Sequence, residues 1–209
     1  MGYYVEVESK VPIKLVIFDL SGVMFSNEEP PFLERFANEH HLPREKFLAR
    51  YDELVQKSEK GEITGIGLWQ TLLAEFGVPG NPATIIAEMI DCKESYPDML
   101  AVAKKLKEQH AVVYLSNYNG DYWKLIAAKF DFDEWFSWGV VSYQIGFRKP
   151  AKEGFLYILK KADCRPEQAV FIDDSPKNLE EAAKTGIAAL LFRNKESLLA
   201  DLRLLHIEI

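Results

Sequence analysis

An α/β fold is predicted: a Rossmann-like parallel sheet with helices on both faces, plus an inserted helical cap-like block. Three observations predict it. Short apolar runs rich in branched residues alternate with amphipathic segments of helical length along most of the chain. The runs are apolar throughout rather than alternating, as expected for strands covered on both faces. Between residues 29 and 95 the alternation stops and only helical periodicity is found.

The first strand is Lys14 to Phe18 (KLVIF), ended by the break Asp19-Leu20-Ser21-Gly22. Four amphipathic segments follow: FLERFANEH, PREKFLARYDELVQKSEK, GLWQTLLAEF and PATIIAEMI. His41-Leu42-Pro43, Gly61 and the stretch 77–82 separate them, each carrying a helix-ending residue. From Pro97 to Gln109, Met99, Leu100, Val102, Ala103 and Leu106 share one side of a helix. Strands are then predicted at 111–116 (AVVYLS), 140–143 (VVSY), 169–173 (AVFID) and 187–192 (IAALLF). Helices are predicted at 121–130, 150–161, 176–185 and 195–205. Strand–helix–strand units of this size make right-handed crossovers in a parallel sheet. The chain divides into a sheet domain, 1–28 and 96–209, and an inserted helical domain, 29–95.

Composition narrows the partners. A formal net charge of -7 argues against a nucleic-acid or anionic-membrane surface. It leaves room for a small phosphate compound, whose site needs only local positive charge. Cys92 and Cys164 stand far apart without metal-ligand spacing, so neither a disulfide framework nor a zinc site is expected. MGYYVEVESK carries glutamates where an export signal needs a basic and then an apolar stretch, and Glu6 breaks a myristoylation signal. No apolar run is long enough to span a bilayer, so a cytoplasmic protein is expected. No feature of the sequence specifies an oligomeric state.

In open parallel sheets, ligands bind beyond the carboxyl ends of the strands. The predicted strand ends deliver Asp19, then Ser116 and Asn117, then Asp173 and Asp174, with Lys149 following the third strand. Taken singly, Asp19 reads as a turn residue, Ser116-Asn117 as a helix cap and Lys149 as a solvated lysine. Adjacent Asp173 and Asp174, however, repel each other unless a cation joins them. Together, on one rim, these residues suit phosphoryl transfer. A carboxylate such as Asp19 can attack phosphorus and split one hard step into two. The clash of anion with dianion calls for a hard, oxygen-liganded ion such as Mg²⁺, with Asp19, Asp173 and Asp174 as ligands. Ser116, Asn117 and Lys149 can donate to the phosphoryl oxygens.

The stretches that carry these residues read VIFDLSGV, YLSNYN, GFRKP and VFIDDSPKNLEEAAKTG. In order and spacing they resemble the four motifs of the haloacid dehalogenase superfamily, in particular its phosphatases with a helical cap after the first strand. The last three motifs are similar to those of bacterial glucose-1-phosphate phosphatases and of the phosphatase domain of soluble epoxide hydrolases. The resemblance covers nearly the whole chain, with 29–95 where the cap belongs. It implies Asp19 as nucleophile, Ser116 and Lys149 as phosphate donors, and Asp19 and Asp174 as Mg²⁺ ligands. Asp173 would reach the metal directly or through water, and the main-chain carbonyl of Ser21 would be a further ligand.

Ser21 is also the departure. Most phosphatases of this superfamily carry there an aspartate that acts as general acid and base. A serine hydroxyl is too weak an acid and base for either task near neutrality. Three consequences stay open: a substrate with an easily expelled leaving group, such as an anomeric sugar phosphate; a cap residue in the acid's role, with Asn27, Glu28 and Arg35 as candidates; or phosphate binding without turnover. Dehalogenation is disfavoured, because the founding dehalogenases carry tyrosine-glycine-threonine after the aspartate and lack the double carboxylate.

Other features read as structural. His40-His41 diverge by about 100° on a helix and share a metal poorly. Trp123, Trp135 and Trp138, with Phe130, Phe132 and Phe136, suit core packing or a subunit contact better than base stacking. Tyr51, Trp69 and Arg35 are candidates either to face the crevice or to fill the cap's own core.

Overall fold

The chain's structure, a computed structural model, describes residues 11–209, so the reading of MGYYVEVESK and Glu6 lies outside the described residues. From the amino end, β1 (Leu15–Phe18) is followed by α1 (Glu29–Glu39), α2 (Arg44–Glu59), α3 (Gly65–Phe76), α4 (Pro82–Asp91) and α5 (Pro97–Leu106). Then come β2 (Ala111–Ser116), α6 (Gly120–Lys129), α7 (Phe132–Trp135), β3 (Trp138–Val141) and α8 (Ser142–Ile145). The chain continues through α9 (Lys152–Lys161), β4 (Ala169–Asp173), α10 (Pro176–Lys184), β5 (Ala188–Leu191) and α11 (Lys195–Leu204).

The strands form one five-stranded sheet, every pair parallel, in the order β3-β2-β1-β4-β5. Ile17 stands opposite Val113 on one side and Phe171 on the other. Successive side chains of a strand point to opposite faces, and both faces are dry here. Val16, Phe18, Val112, Val170 and Ile172 join a core with α5, α6 and α11. Leu15, Ile17, Val113, Leu115 and Phe171 pack on Phe155 and Ile158 of α9 and Leu179 of α10. The predicted fold class is therefore the observed one. The chain runs β1-β2-β3 in one direction and returns to β4 on the far side of β1. That reversal opens a crevice at the carboxyl ends of β1 and β4.

Helices α1 to α4 leave the sheet after β1 and return before α5. Thr64 and Asn81 cap α3 and α4 through their side chains, and Gly77 ends α3 with a φ of 66°. Trp69 is fully buried among Phe32, Phe36, Phe47 and Tyr51. The outgoing and returning connections pair with each other: Ser26 N donates to Glu94 O at 2.8 Å and Tyr96 N to Met24 O at 2.9 Å. Among the described residues, no helix is long and apolar enough to cross a membrane.

Two details differ from the sequence reading. The third strand is Trp138–Val141, not 140–143. The chain turns into α8 because the Ser142 hydroxyl accepts from Tyr118 N and donates to Tyr118 O, both at 3.2 Å. Side-chain bonds to a neighbouring loop thus replace a strand ladder. Arg35 faces neither crevice nor core: it is exposed, pairs with Glu39 and lies over the Phe32 ring. The aromatic stretch packs internally. Phe130 stacks on Phe25 at 4.3 Å, and Trp123, Phe132 and Phe136 surround Tyr114. Trp135 leans on Phe25, while Trp138 borders the opposite core under Lys161. His40 and His41 are exposed at the end of α1.

Tyr114 on β2 lies opposite Gly139 on β3, and its ring fills the space above that glycine. A Cβ at residue 139 would stand 2.0 Å from the ring. Gly139→Ala is therefore expected to lower the unfolding free energy by about 1–3 kcal/mol. Urea denaturation with an unchanged slope would show it.

Candidate active site

Asp19 leaves β1 and is locked at once. Leu20 N donates to its Oδ1 at 2.7 Å and Ser116 Oγ, from the end of β2, donates to the same oxygen at 3.1 Å. Lys149 Nζ reaches that oxygen as well, at 2.8 Å. The turn after Asp19 is tight, with Leu20 O accepting from the main-chain nitrogens of Val23, Met24 and Phe25.

Lys149 is the centre of the cluster. The residue is 3% exposed, and its ammonium also donates to Asp173 Oδ2 at 2.6 Å, where Asp173 is fully buried. Burial opposes the charge on Lys149, but Asp173 and Asp19 together hold its affinity for the proton above the ordinary value. Asn117 fixes the Lys149 backbone from both sides: Asn117 Nδ2 donates to Lys149 O at 3.0 Å, and Lys149 N to Asn117 Oδ1 at 2.8 Å. The Asn117 amide, expected to bind phosphate, is thus occupied in positioning the lysine. Asp173 is held in turn by Ser175 N at 2.8 Å and by Asn178 Nδ2 at 3.0 and 3.1 Å.

Asp174 differs from its neighbour in being exposed. Its carboxylate lies against Gly22, where a Cβ would be 2.2 Å from Oδ2. Gly22 has a φ of +83°, so both conformation and space favour glycine. One oxygen from each of Asp19, Asp173 and Asp174 lies within 4.8 Å of the others. A set of hard carboxylate oxygens at this spacing, bordered by the turn that carries the Ser21 carbonyl, fits Mg²⁺. Burial pushes the Asp19 carboxyl up to about 6, with Asp173 adding to it and Lys149 opposing. Burial and then Asp173 likewise raise Asp174. Such strained, mutually repelling carboxylates are what a cation relieves.

Ser21 stands two residues beyond Asp19 with its hydroxyl bonded to the Tyr118 hydroxyl. Lys93 Nζ donates to Ser21 Oγ at 3.1 Å and to Ser26 O at 2.7 Å. Burial draws the Lys93 ammonium down to about 8, against the pull of Glu29 and Asp19. Beyond Ser21 a cavity of ≈ 120 Å³ lies between the sheet and the inserted helices. Asn27, Glu29, Glu59, Lys93, Asn117 and Tyr118 contribute to its wall. Of the three residues considered from sequence for the acid's role, Asn27 lines this cavity. Glu28 instead ends on the N-terminus of α1, its carbonyl accepting from Phe32 N at 3.0 Å. Tyr51 and Trp69 fill the insertion's core, yet both reach the cavity wall indirectly, bonding the Tyr122 hydroxyl at 3.2 and 2.9 Å.

Sequence reasoning missed Lys93, Glu29, Glu59 and Tyr118. Lys93 and Glu29 lie in the connection and first turn of an insertion whose face toward the sheet no periodicity reveals. Asn178 had a visible signal, five residues after Asp173 on the next helix, within the quoted motif.

Comparison with known proteins gives the chain a family and relatives. The profile of the haloacid dehalogenase-like hydrolases matches residues 13–186. Flavin mononucleotide hydrolase 1 of Arabidopsis thaliana is 26% identical over 98% of this chain and 82% of its own length. A sesquiterpene phosphatase of Aspergillus oryzae is 25% identical over 91% of this chain and 95% of its own. A HAD-family enzyme of Bacteroides thetaiotaomicron, solved with magnesium, superimposes with a TM-score of 0.80 at 26% identity, covering 92% of this chain and 100% of that one. The same enzyme with magnesium and inorganic phosphate gives 0.78 at 25% identity, covering 90% and 98%. With the profile spanning most of its length, the chain belongs to the haloacid dehalogenase-like hydrolase family.

Proposed function

We propose that this chain is a Mg²⁺-dependent phosphatase of small phosphorylated metabolites that works through a phosphoryl group carried on Asp19. One observation carries the reading: a single Asp19 oxygen is gripped by Ser116, Lys149 and Leu20 N beside two further carboxylates. The activities for which the plant hydrolase and the fungal phosphatase are named, and the magnesium and phosphate complex of the bacterial enzyme, support it.

Among the described residues, the bonds to Asp19 fall on Oδ1, so Oδ2 is the oxygen available for attack. It forms a bond to phosphorus as the bond to the leaving oxygen breaks; water then displaces phosphate from Asp19 and restores the carboxylate. Ser116 Oγ and Lys149 Nζ, already on Asp19, are within reach of the phosphoryl oxygens at both stages. Asp174, being exposed, would hold the metal directly together with Asp19. Asp173, its oxygens taken by Lys149, Asn178 and Ser175, would act through water. When bound, Mg²⁺ supplies charge relief between the carboxylate and the phosphate dianion. Helices α1 to α4 act as the cap that shields the site from water and selects the leaving group.

Phosphate release from 4-nitrophenyl phosphate tests the reading. Turnover is expected with Mg²⁺ and not with EDTA, and Asp19→Asn is expected to abolish it. No turnover by the native chain with Mg²⁺ would overturn the proposal and leave a phosphate-binding protein.

Metal binding has its own readout. Mg²⁺ is expected to raise the melting temperature of the native chain, as a ligand of the folded state must. Asp174→Asn is expected to remove most of that rise while the metal-free melting temperature stays near native. The central lysine is a matter of stability as well. Lys149→Met leaves two buried carboxylates uncompensated and is expected to cost about 3–5 kcal/mol. Adding Asp19→Asn to that variant should recover part of the loss in chemical denaturation.

A further inference from the structure

We propose that Glu29, at the start of α1, is the proton carrier that residue 21 does not supply. The proposal rests on the phosphatase reading and deepens it. In the first half-reaction Glu29 donates its proton to the leaving oxygen as that oxygen departs with the bonding electron pair. In the second, the ionised Glu29 takes a proton from the water that attacks the phosphoryl group on Asp19. Asp19 regains its carboxylate, phosphate leaves and Glu29 is again protonated, so the cycle closes without another reactant.

Four observations support it. First, the Ser21 hydroxyl is committed to Tyr118 and Lys93, so nothing at that position can exchange a proton near neutrality. Secondly, Glu29 shares a small cavity with Ser21, two residues from Asp19, and with Asn117, which follows Ser116 and clasps the Lys149 backbone, so it stands beside the reacting group. Thirdly, Glu59, the other carboxylate in that wall, is engaged by Arg148 Nε at 2.6 Å. Fourthly, the groups facing Glu29 leave both protonation states accessible. They are Tyr51 and Glu59 from α2, Lys93 from the returning connection, and Arg148 from the loop before α9. Tyr118 and Tyr122 face it from the sheet side. Burial, and then the charge of Glu59, push Glu29 up to about 7, while the Tyr51 hydrogen bond, Lys93 and Arg148 pull the other way. An acid poised there serves as donor and acceptor in one cycle.

The sign of the pH effect follows. Protonated Glu29 is needed to expel a poor leaving group, so that step slows as pH rises through about 7. The experiment compares 4-nitrophenyl, phenyl and 4-methoxyphenyl phosphates, whose leaving groups need increasing protonation, with Mg²⁺ present. In the native chain, kcat/KM on phenyl phosphate is expected to fall above pH 7. In Glu29→Gln the 4-nitrophenolate burst should stay within a few-fold of native, whereas kcat/KM on 4-methoxyphenyl phosphate should drop roughly 10²-fold, at the lower end of general-acid effects. The descending pH limb should vanish. Glu59→Gln should move that limb to lower pH, because Glu29 loses a repelling neighbour and Arg148 is freed to act on it. Equal losses on all three esters, no loss on any, or a native chain without the descending limb would overturn the assignment of Glu29 and leave the phosphatase standing. A native chain that turns over none of the esters would overturn both.

Discussion

A lysine ammonium held between two buried aspartates is the contact on which this molecule's site depends. Lys149 bridges Asp19 and Asp173 at 2.8 and 2.6 Å, joining the ends of β1 and β4. Neither carboxylate is tolerable in a dry interior without it, since an unpaired buried charge costs several kcal/mol. The topology creates the need. Because β4 lies beside β1, the carboxylates that end them necessarily face each other across the crevice where the chain reverses. The rest of the surroundings serve the lysine: the Asn117 amide clasps its backbone, and Asn178 and Ser175 hold the acid beneath it. The arrangement stays short of positive charge. One ammonium faces three carboxylates, and that deficit suits the cluster to a divalent cation.

The fold was legible because its strands are buried on both faces. KLVIF, AVVYLS and AVFID have no polar alternation to confuse with a surface strand, and each ends on or immediately before a residue of the site. The third strand was misplaced by two residues because VVSY is as apolar as WGVV; a Ser142 hydroxyl bonded to the Tyr118 backbone decides where it ends. Asp19, Ser116, Lys149, Asp173 and Asp174 were grouped from the sequence because sheet topology brings strand ends together, and they do lie together. The residues across the cavity were not. Glu29 and Lys93 are brought to Ser21 by the packing of Trp69, Tyr51 and Tyr122, contacts between segments far apart in sequence.

The inserted helices therefore carry two kinds of information. Their aromatic core and the Tyr122 contacts fix them to α6, and the paired connections at Ser26 and Glu94 fix how they leave the sheet. Their inner edge then lines the cavity beside Ser21. Replacing an aspartate by Ser21 does not leave a void there, because a phenol and an ammonium take up the hydroxyl. The donors to Asp19 come from the sheet domain, whereas the cavity beside Ser21 is shared with the insertion.

The central claim is that Asp19 carries the phosphoryl group. Its most direct test is rapid acid quenching of the native chain during turnover of 4-nitrophenyl phosphate, followed by mass spectrometry of the peptide that contains Asp19. A phosphoryl group on Asp19, forming within the dead time of the burst and absent when Mg²⁺ is chelated, is the expected result. Steady turnover with the Asp19 peptide unmodified, or with the phosphoryl group on another residue, would contradict the account.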